Sequence, residues 1–138
     1  MQSNTVFLAR FIGAYTLIET VLMALFRDQS LQRIYDVLYD RALAFTYGVI
    51  TLGLGLAILS AHNVWKGGVL PVVVTLVGWL LLIRGVVLQV VTPELAQSTL
   101  QAIRFEAYYY AYLAVPLVLG AYLLLAGSTA RRPLAGTA

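Results

Sequence analysis

The sequence predicts an all-α membrane protein with four transmembrane helices and two short amphipathic helices at the membrane surface. Of its 138 residues, 61% are hydrophobic and 11% are charged, and the mean hydropathy of +0.86 is far above that of a soluble domain. Four apolar runs reach the roughly 20 helical residues that are needed to cross a hydrocarbon core of about 30 Å. Away from the ends of these runs, the only charged residues are Arg10, Glu19 and Arg84.

The first half of the chain predicts a span, a surface helix and a second span. The first span covers residues 6–26 and stops at the charged pair Arg27-Asp28. In residues 31–38, apolar side chains recur at three- and four-residue intervals with polar residues between them, which is typical of a helix lying on a membrane. The second span, residues 42–61, contains no charged residue.

The second half predicts the same order of elements after a polar turn that contains two adjacent glycines. The third span covers residues 69–91 and is followed by a second surface helix at residues 93–104. The fourth span, residues 105–126, opens with a cluster of tyrosines, which favour headgroup depth. Residues 127–138 are predicted to form a polar C-terminal tail.

Residues 1–126 therefore form one transmembrane domain, and its halves, residues 1–61 and 67–126, are candidates for a tandem repeat. An offset of 65 residues aligns Ile18-Glu19 with Ile83-Arg84. A repeated two-span unit keeps its orientation, which predicts a pseudo-two-fold axis along the membrane normal. Any two apolar helices also share some residues by chance, so this comparison leaves the duplication open.

Composition excludes several classes of function. The net charge of +3 comes from scattered bases with no basic run, which argues against nucleic acid as a partner. The absence of cysteine excludes disulfides, thiolate nucleophiles and cysteine-ligated metals. There is no phosphate-binding glycine loop and no catalytic triad pattern. We therefore expect no enzymatic activity, no cofactor and no metal site. We expect the lipid bilayer to be the main partner of the chain.

Glu19 and Arg84 are the clearest candidates for a site. Both lie at similar depth in predicted spans that run in the same direction, so the two side chains could meet. A structural ion pair between the halves is the favoured interpretation, because a lone charge inside a bilayer is costly. The alternative is a site that handles protons or ions.

Glu106 and Tyr109, at the start of the fourth span, could extend this pair into a polar binding pocket. Glu106 could instead interact with a helix N-terminus, where carboxylates are favoured. At the other end of the spans, His62, Asn63 and Trp65 form a polar turn. A single histidine supplies no metal site by itself, so hydrogen bonding within the turn is the favoured role.

Small residues recur at helical spacing in every span and predict close helix contacts. The predicted contact faces are Ala9, Gly13, Thr16 and Thr20; Gly48, Thr51 and Gly55; Thr75, Gly78 and Gly85; and Ala107, Ala111 and Ala114.

A further indication comes from four short strings of residues: His62-Asn63-Val64-Trp65, Gly78-Trp79, Arg84-Gly85 and Pro93. With them, the central third of the chain resembles a class of small uncharacterised bacterial four-span integral membrane proteins. The resemblance implies a location in a bacterial inner membrane and no particular activity.

The orientation is predicted from the distribution of charge. The side that holds both termini has bases without flanking acids, so we expect both termini to lie in the cytoplasm.

Two hypotheses for function follow from these features. The first is a non-enzymatic scaffold or accessory subunit of a homo-oligomer or larger membrane complex. The alternative is a small ion or solute transporter or channel that uses a polar site at Glu19 and Arg84. Lipid handling at the pocket, and binding of a pigment or haem, also stay open.

Overall fold

The computed structural model describes residues 2–130, and within that range the chain forms six helices and no strand. The helices are α1 (Gln2–Leu25), α2 (Arg27–Tyr39), α3 (Arg41–Ala61), α4 (Val69–Val90), α5 (Pro93–Ala102) and α6 (Tyr109–Thr129). Four of them, α1, α3, α4 and α6, are long and apolar enough to cross a membrane. The predicted all-helical architecture and the four candidate spans are confirmed at that level.

The surface of these four helices fits an apolar solvent. Only 22–28% of the most apolar window of each helix is buried inside the protein. Large apolar side chains such as Phe7, Leu80 and Val115 are more than 60% exposed. Contiguous apolar surface on this scale marks a contact with lipid or with another protein, so the fold indicates a membrane protein.

The fourth predicted span differs from the structure at both ends. Residues 103–108 form turns, and α6 begins only at Tyr109. At the other end, α6 continues through Gly127, which was predicted to open the tail. The helix continues because Gly127 is buried against Arg10 and Ala9 of α1. The rest of the predicted tail, residues 131–138, lies outside the described residues.

The spans pack as two pairs, α1 along α6 and α3 along α4, while α1 and α6 each make smaller contacts with α4. A buried cluster of Ala9, Ile12, Val74 and Leu123 joins the two pairs. It draws on the first half of α1, the first half of α4 and the second half of α6. The pairs are therefore held together near the end of the bundle that contains the α3–α4 turn.

Glycines set the close approach of α3 to α4. A Cβ atom at Gly55 would lie 2.5 Å from the backbone nitrogen of Leu82 and 3.0 Å from the carbonyl oxygen of Gly78. A Cβ atom at Gly48 would lie 2.9 Å from the carbonyl oxygen of Gly85. Since such distances are below van der Waals contact, only glycine fits, and the glycines of the predicted contact faces of α3 and α4 do lie between the two helices.

The α1–α6 pair uses a similar contact, but from different α6 residues than predicted. A Cβ atom at Gly13 would lie 2.6 Å from the backbone nitrogen of Leu124 and 2.9 Å from the carbonyl oxygen of Gly120. Gly120 and Gly127 are the buried glycines of α6. The predicted α6 face, Ala107, Ala111 and Ala114, is exposed instead, and Ala107 precedes the helix.

The two shorter helices lie at the other end of the bundle, where α2 contacts α3 and α5. A second buried cluster, formed by Leu31, Tyr109 and Leu113, attaches α2 to the beginning of α6. Asp40 separates α2 from α3, and its carboxylate accepts from the amides of Ala42 and Leu43 at 2.8 and 3.0 Å. This N-cap starts α3.

Candidate functional site

Glu19 and Arg84 lie at matching positions on α1 and α4. Each is six residues before the end of its helix, at Leu25 and Val90 respectively, which is about 9 Å by the rise of an α-helix. Both side chains are exposed. The predicted ion pair between them is not formed: among residues 2–130, the one salt bridge joins Arg27 to its neighbour Asp28 at 3.3 Å. Two charges therefore remain unpaired on the sides of apolar helices.

Glu106 and Tyr109 each contact the corner where α1 meets α2, and neither bonds to Glu19 or Arg84. The Tyr109 hydroxyl donates to the carbonyl oxygen of Met23 at 2.9 Å, and the tyrosine is only 1% exposed. The Tyr35 hydroxyl donates to Glu106 Oε1 at 2.5 Å. Neither Glu19 nor Arg84 takes part in these bonds, and of the four residues of the predicted pocket only Glu106 lines the cavity that opens between α2 and α5.

The alternative role considered for Glu106, a contact with a helix N-terminus, is also not observed. The α6 helix begins at Tyr109, and its first turn receives no side-chain cap. Glu106 instead presents one oxygen to Tyr35 and its main-chain carbonyl to Arg27 Nη2, at 3.2 Å.

The sequence interpretation missed Arg27 and Tyr35. Arg27 places its guanidinium carbon 5.6 Å from the centre of the Tyr109 ring, which is a cation–π contact. Tyr35 belongs to the apolar stripe that predicted α2, and the stripe gave no sign that its hydroxyl has a polar partner 71 positions away. Only the folding of α2 back onto the α5–α6 connection brings these groups together.

The hydrogen bond to Glu106 also changes the acidity of Tyr35. Its pKa is raised to about 12, chiefly because the hydroxyl donates to the Glu106 carboxylate, with further contributions from burial and from the negative charge of Glu106. Losing the proton would turn this donor into a second anion facing a carboxylate. Tyr35 is therefore a stable donor over the physiological pH range.

A pocket of about 550 Å³ opens beside this corner, between α2, α5 and the α5–α6 connection. Its lining is formed by Tyr35, Tyr39, Gln97, Leu100, Gln101, Arg104, Phe105, Glu106 and Ala107. Tyr35 and Tyr39 stack with their ring centres 5.5 Å apart. The pocket thus combines aromatic walls, two amides, one cation and one carboxylate.

Arg104 enters this pocket from a left-handed backbone conformation, with φ of 50°. The amide of Arg104 donates to the Gln101 carbonyl, and that of Phe105 donates to the Leu100 carbonyl, both at 3.0 Å. These two bonds form a Schellman motif, which ends α5 and normally has glycine at this position. An arginine here costs about 1 kcal/mol of backbone strain.

The turn at the opposite end is a compact hydrogen-bonded unit. The fully buried Thr75 hydroxyl accepts from the Val64 amide at 3.0 Å and lies 3.1 Å from the Val64 carbonyl oxygen. His62, 4% exposed, places Nε2 3.2 Å from the Pro71 carbonyl oxygen. Trp65 Nε1 donates to Asn63 Oδ1 at 2.8 Å.

These contacts fit the favoured role of His62 and its neighbours in shaping the turn. Gly67 and Gly68 complete it with φ values of 95° and 122°, which favour glycine. Among the described residues, no group of three or more histidine and acidic side chains is placed to hold a metal ion.

No protein-family model, no curated protein and no solved structure matches the chain. The class of protein therefore rests on four helices that are long and apolar enough to cross a membrane.

Proposed function

We propose that the protein is a non-enzymatic integral membrane protein and serves as a scaffold or accessory subunit of a homo-oligomer. The observation that carries this proposal is the exposed, unpaired state of Glu19 and Arg84 on apolar helices. A charge in the bilayer interior costs several kcal/mol unless it is paired or reaches water. A second copy of the chain supplies an opposite charge for each.

The geometry of the two residues fits such a pairing. Helices α1 and α4 run in the same direction, and Glu19 and Arg84 lie equally far from the ends of their helices. A two-fold axis along the membrane normal keeps depth unchanged, so Glu19 of one copy meets Arg84 of the other at the same level. The same axis forms this contact twice.

In this proposal α1, α3, α4 and α6 cross a bacterial inner membrane with both termini in the cytoplasm, and α2 and α5 lie at the opposite surface. The amphipathic patterns of α2 and α5, and their position at one end of the bundle, support an interfacial location. The bacterial location is supported by the resemblance to small bacterial four-span proteins. The orientation is supported by the distribution of bases near the termini.

We also propose that residues 1–61 and 67–126 are the two copies of a tandem repeat. A pseudo-two-fold axis that exchanges α1 with α4 and α3 with α6 would convert the α1–α6 pair into the α4–α3 pair. The packing of α1 along α6 and of α3 along α4 supports this exchange. In addition, Gly13 and Gly78, which correspond at the offset of 65, both lie in these pair contacts.

Reversing the two charges tests the homo-oligomer. The masses of the parent, Glu19→Lys, Arg84→Glu and the double variant would be compared by native mass spectrometry in mild detergent and after lipid reconstitution. We expect each single reversal to weaken self-association by about tenfold or more and the double reversal to restore it. Glu94→Lys is a matched control, because Glu94 is exposed outside the apolar spans.

Two outcomes would contradict the homo-oligomer. One is a parent protein that is monomeric in both detergent and lipid. The other is a double variant that dissociates as readily as the single reversals.

The same exposed charges support the alternative function, a transporter or channel with a polar path past Glu19 and Arg84. Proteoliposomes with the parent, Glu19→Gln and Arg84→Gln would be compared for ion and solute flux. The path predicts flux in the parent and a loss in each variant. Flux that is absent, or equal in all three, rules out the path and leaves the scaffold.

A further inference from the structure

We infer that the pocket between α2 and α5 binds a phosphoethanolamine group, a ligand that carries a phosphate and a primary ammonium a few bonds apart. This site is separate from the Glu19 and Arg84 charges on which the proposed oligomer rests. The volume of about 550 Å³ is in the range of small-molecule sites. Four features of the lining point to this chemistry.

The first feature is a cation and a carboxylate that line one pocket without pairing to each other. Arg104 and Glu106 are two positions apart, yet no ion pair joins them. The Arg104 guanidinium makes no hydrogen bond within residues 2–130. Glu106 uses only Oε1, as acceptor for Tyr35, so Oε2 is free to accept another bond. A ligand with both charges can bind each of these groups in a single pocket.

The second feature is the set of neutral donors beside Arg104. Gln97 and Gln101 are four positions apart on α5, so they share one face of the helix. Their amides, and the Tyr39 hydroxyl, have no hydrogen-bond partner in the part of the chain that the structure describes. Amide and hydroxyl donors next to a guanidinium suit the several oxygens of a phosphate.

The third feature favours a primary ammonium over a trimethylated one. The stacked rings of Tyr35 and Tyr39 form an aromatic wall near Glu106, and such walls attract any cation. Glu106 Oε2, however, can accept a hydrogen bond from a primary ammonium. A trimethylammonium has no N–H to donate. The aromatic wall and the carboxylate together select the primary amine.

The fourth feature is the backbone of Arg104. Its left-handed conformation suits glycine, yet the chain has a long cationic side chain there. Strain of this kind is concentrated at functional sites.

The pocket also lies beside the beginning of α6, level with the end of a helix that is apolar enough to cross a membrane. A lipid headgroup can reach it, and so can a soluble phosphoethanolamine.

The strained position supplies a variant that removes the charge while relieving the backbone. Arg104→Gly deletes the guanidinium and places glycine where the Schellman motif favours it, so loss of binding cannot be attributed to unfolding. Glu106→Gln deletes the negative charge and keeps an acceptor for the Tyr35 hydroxyl. Arg33→Gln and Glu94→Gln are matched controls, since each removes a charge of the same sign from an exposed residue outside the lining.

The full-length protein in mild detergent would be offered an equimolar mixture of phosphatidylethanolamine, phosphatidylcholine and phosphatidylglycerol. Native mass spectrometry would count the retained lipids, with thermal unfolding as a check of the fold. We expect the parent to prefer phosphatidylethanolamine by about tenfold. Arg104→Gly should lose binding, and Glu106→Gln should lose the preference over phosphatidylglycerol, while both controls behave as the parent.

A parallel arm would add free phosphoethanolamine as a competitor. Displacement of the lipid by the free compound supports the site and identifies a soluble source, whereas lipid binding without displacement supports it with the membrane as the source. The inference is overturned if the parent retains the three lipids equally, or if Arg104→Gly and Glu106→Gln both retain the parental preference. Neither result depends on whether the protein forms oligomers.

Discussion

The two helix pairs have similar glycine contacts but are joined in different ways. Helices α3 and α4 follow each other in the chain, and they are connected by a short turn whose Val64 amide bonds to the buried Thr75 of α4. Helices α1 and α6 lie at opposite ends of the chain, so no turn connects them. Two long-range bonds join them instead, one at each end: Arg10 Nε to the Gly127 carbonyl and the Tyr109 hydroxyl to the Met23 carbonyl, both 2.9 Å.

This difference shows how polar contacts substitute for chain connection. Bringing distant segments together costs more loop-closure entropy than closing a short turn does. The glycines allow the helices of each pair to approach closely. In lipid, however, an apolar interface between helices gains little from the hydrophobic effect. Hydrogen bonds at both ends offset that cost for α1 and α6, whereas the α3–α4 turn already limits its helices to one arrangement.

The largest expected effect comes from adding one methyl group inside the α3–α4 pair. In Gly55→Ala the new Cβ would lie 2.5 Å from the Leu82 backbone nitrogen, so the helices must separate. We expect a loss of about 3 kcal/mol of stability by overpacking. Gly53→Ala is the matched control, because nothing lies within 4 Å of its Cβ. Thermal unfolding in detergent measures both, and equal melting temperatures would show that the pair does not need its close contact.

The next effect tests the turn that connects α3 to α4. Thr75→Val keeps the shape of a fully buried side chain but removes the acceptor of the Val64 amide. We expect a loss of about 2 kcal/mol, because a buried donor is left unsatisfied. Thr46→Val is the matched control. The exposed Thr46 hydroxyl bonds only to the Ala42 carbonyl of the same helix. Unfolding that is no easier in Thr75→Val than in Thr46→Val would mean that the turn does not hold the pair.

A smaller effect tests the long-range bond between α6 and α1. Tyr109→Phe keeps the buried ring and removes the hydroxyl that reaches Met23. We expect a loss of about 1 kcal/mol, the usual net contribution of one hydrogen bond. Tyr110→Phe, at a 59% exposed position, is the control. Hydrogen exchange at the end of α1 should rise only in Tyr109→Phe, and equal exchange in both variants would contradict the role given to this bond.

The smallest effect is a dependence on alkaline pH at the same corner. The pKa of Tyr35 in the folded protein is raised to about 12, from an ordinary value of 10.0 for tyrosine, chiefly by the bond to Glu106. A raised pKa means that the stability from this group is complete below pH 10 and is lost as the pH rises towards 12. Melting temperatures of the parent should therefore fall more steeply than those of Tyr35→Phe in that window. Parallel curves would show that the bond to Glu106 does not contribute to stability.

The fold class and the candidate spans follow from the sequence because the bilayer imposes a simple requirement on length and polarity. Small residues at positions such as Gly55 and Gly78 also indicated contact faces without showing which helix lies opposite. The end of the fourth span was misplaced, because Gly127 has no polarity that distinguishes a buried helical glycine from the start of a tail. Its helical state depends on its contact with Arg10.

The candidate site was predicted less well, since its partners are far apart in the chain. Depth alone can align Glu19 with Arg84, but the rotation of each helix about its axis decides whether the two side chains meet, and packing sets that rotation. The sequence places Glu106 and Tyr109 three positions apart, while their partners Tyr35, Met23 and Arg27 depend on how α2 folds back. Hydropathy therefore determined which segments avoid water, and only the tertiary structure decided which helix faces meet and which polar groups find a partner.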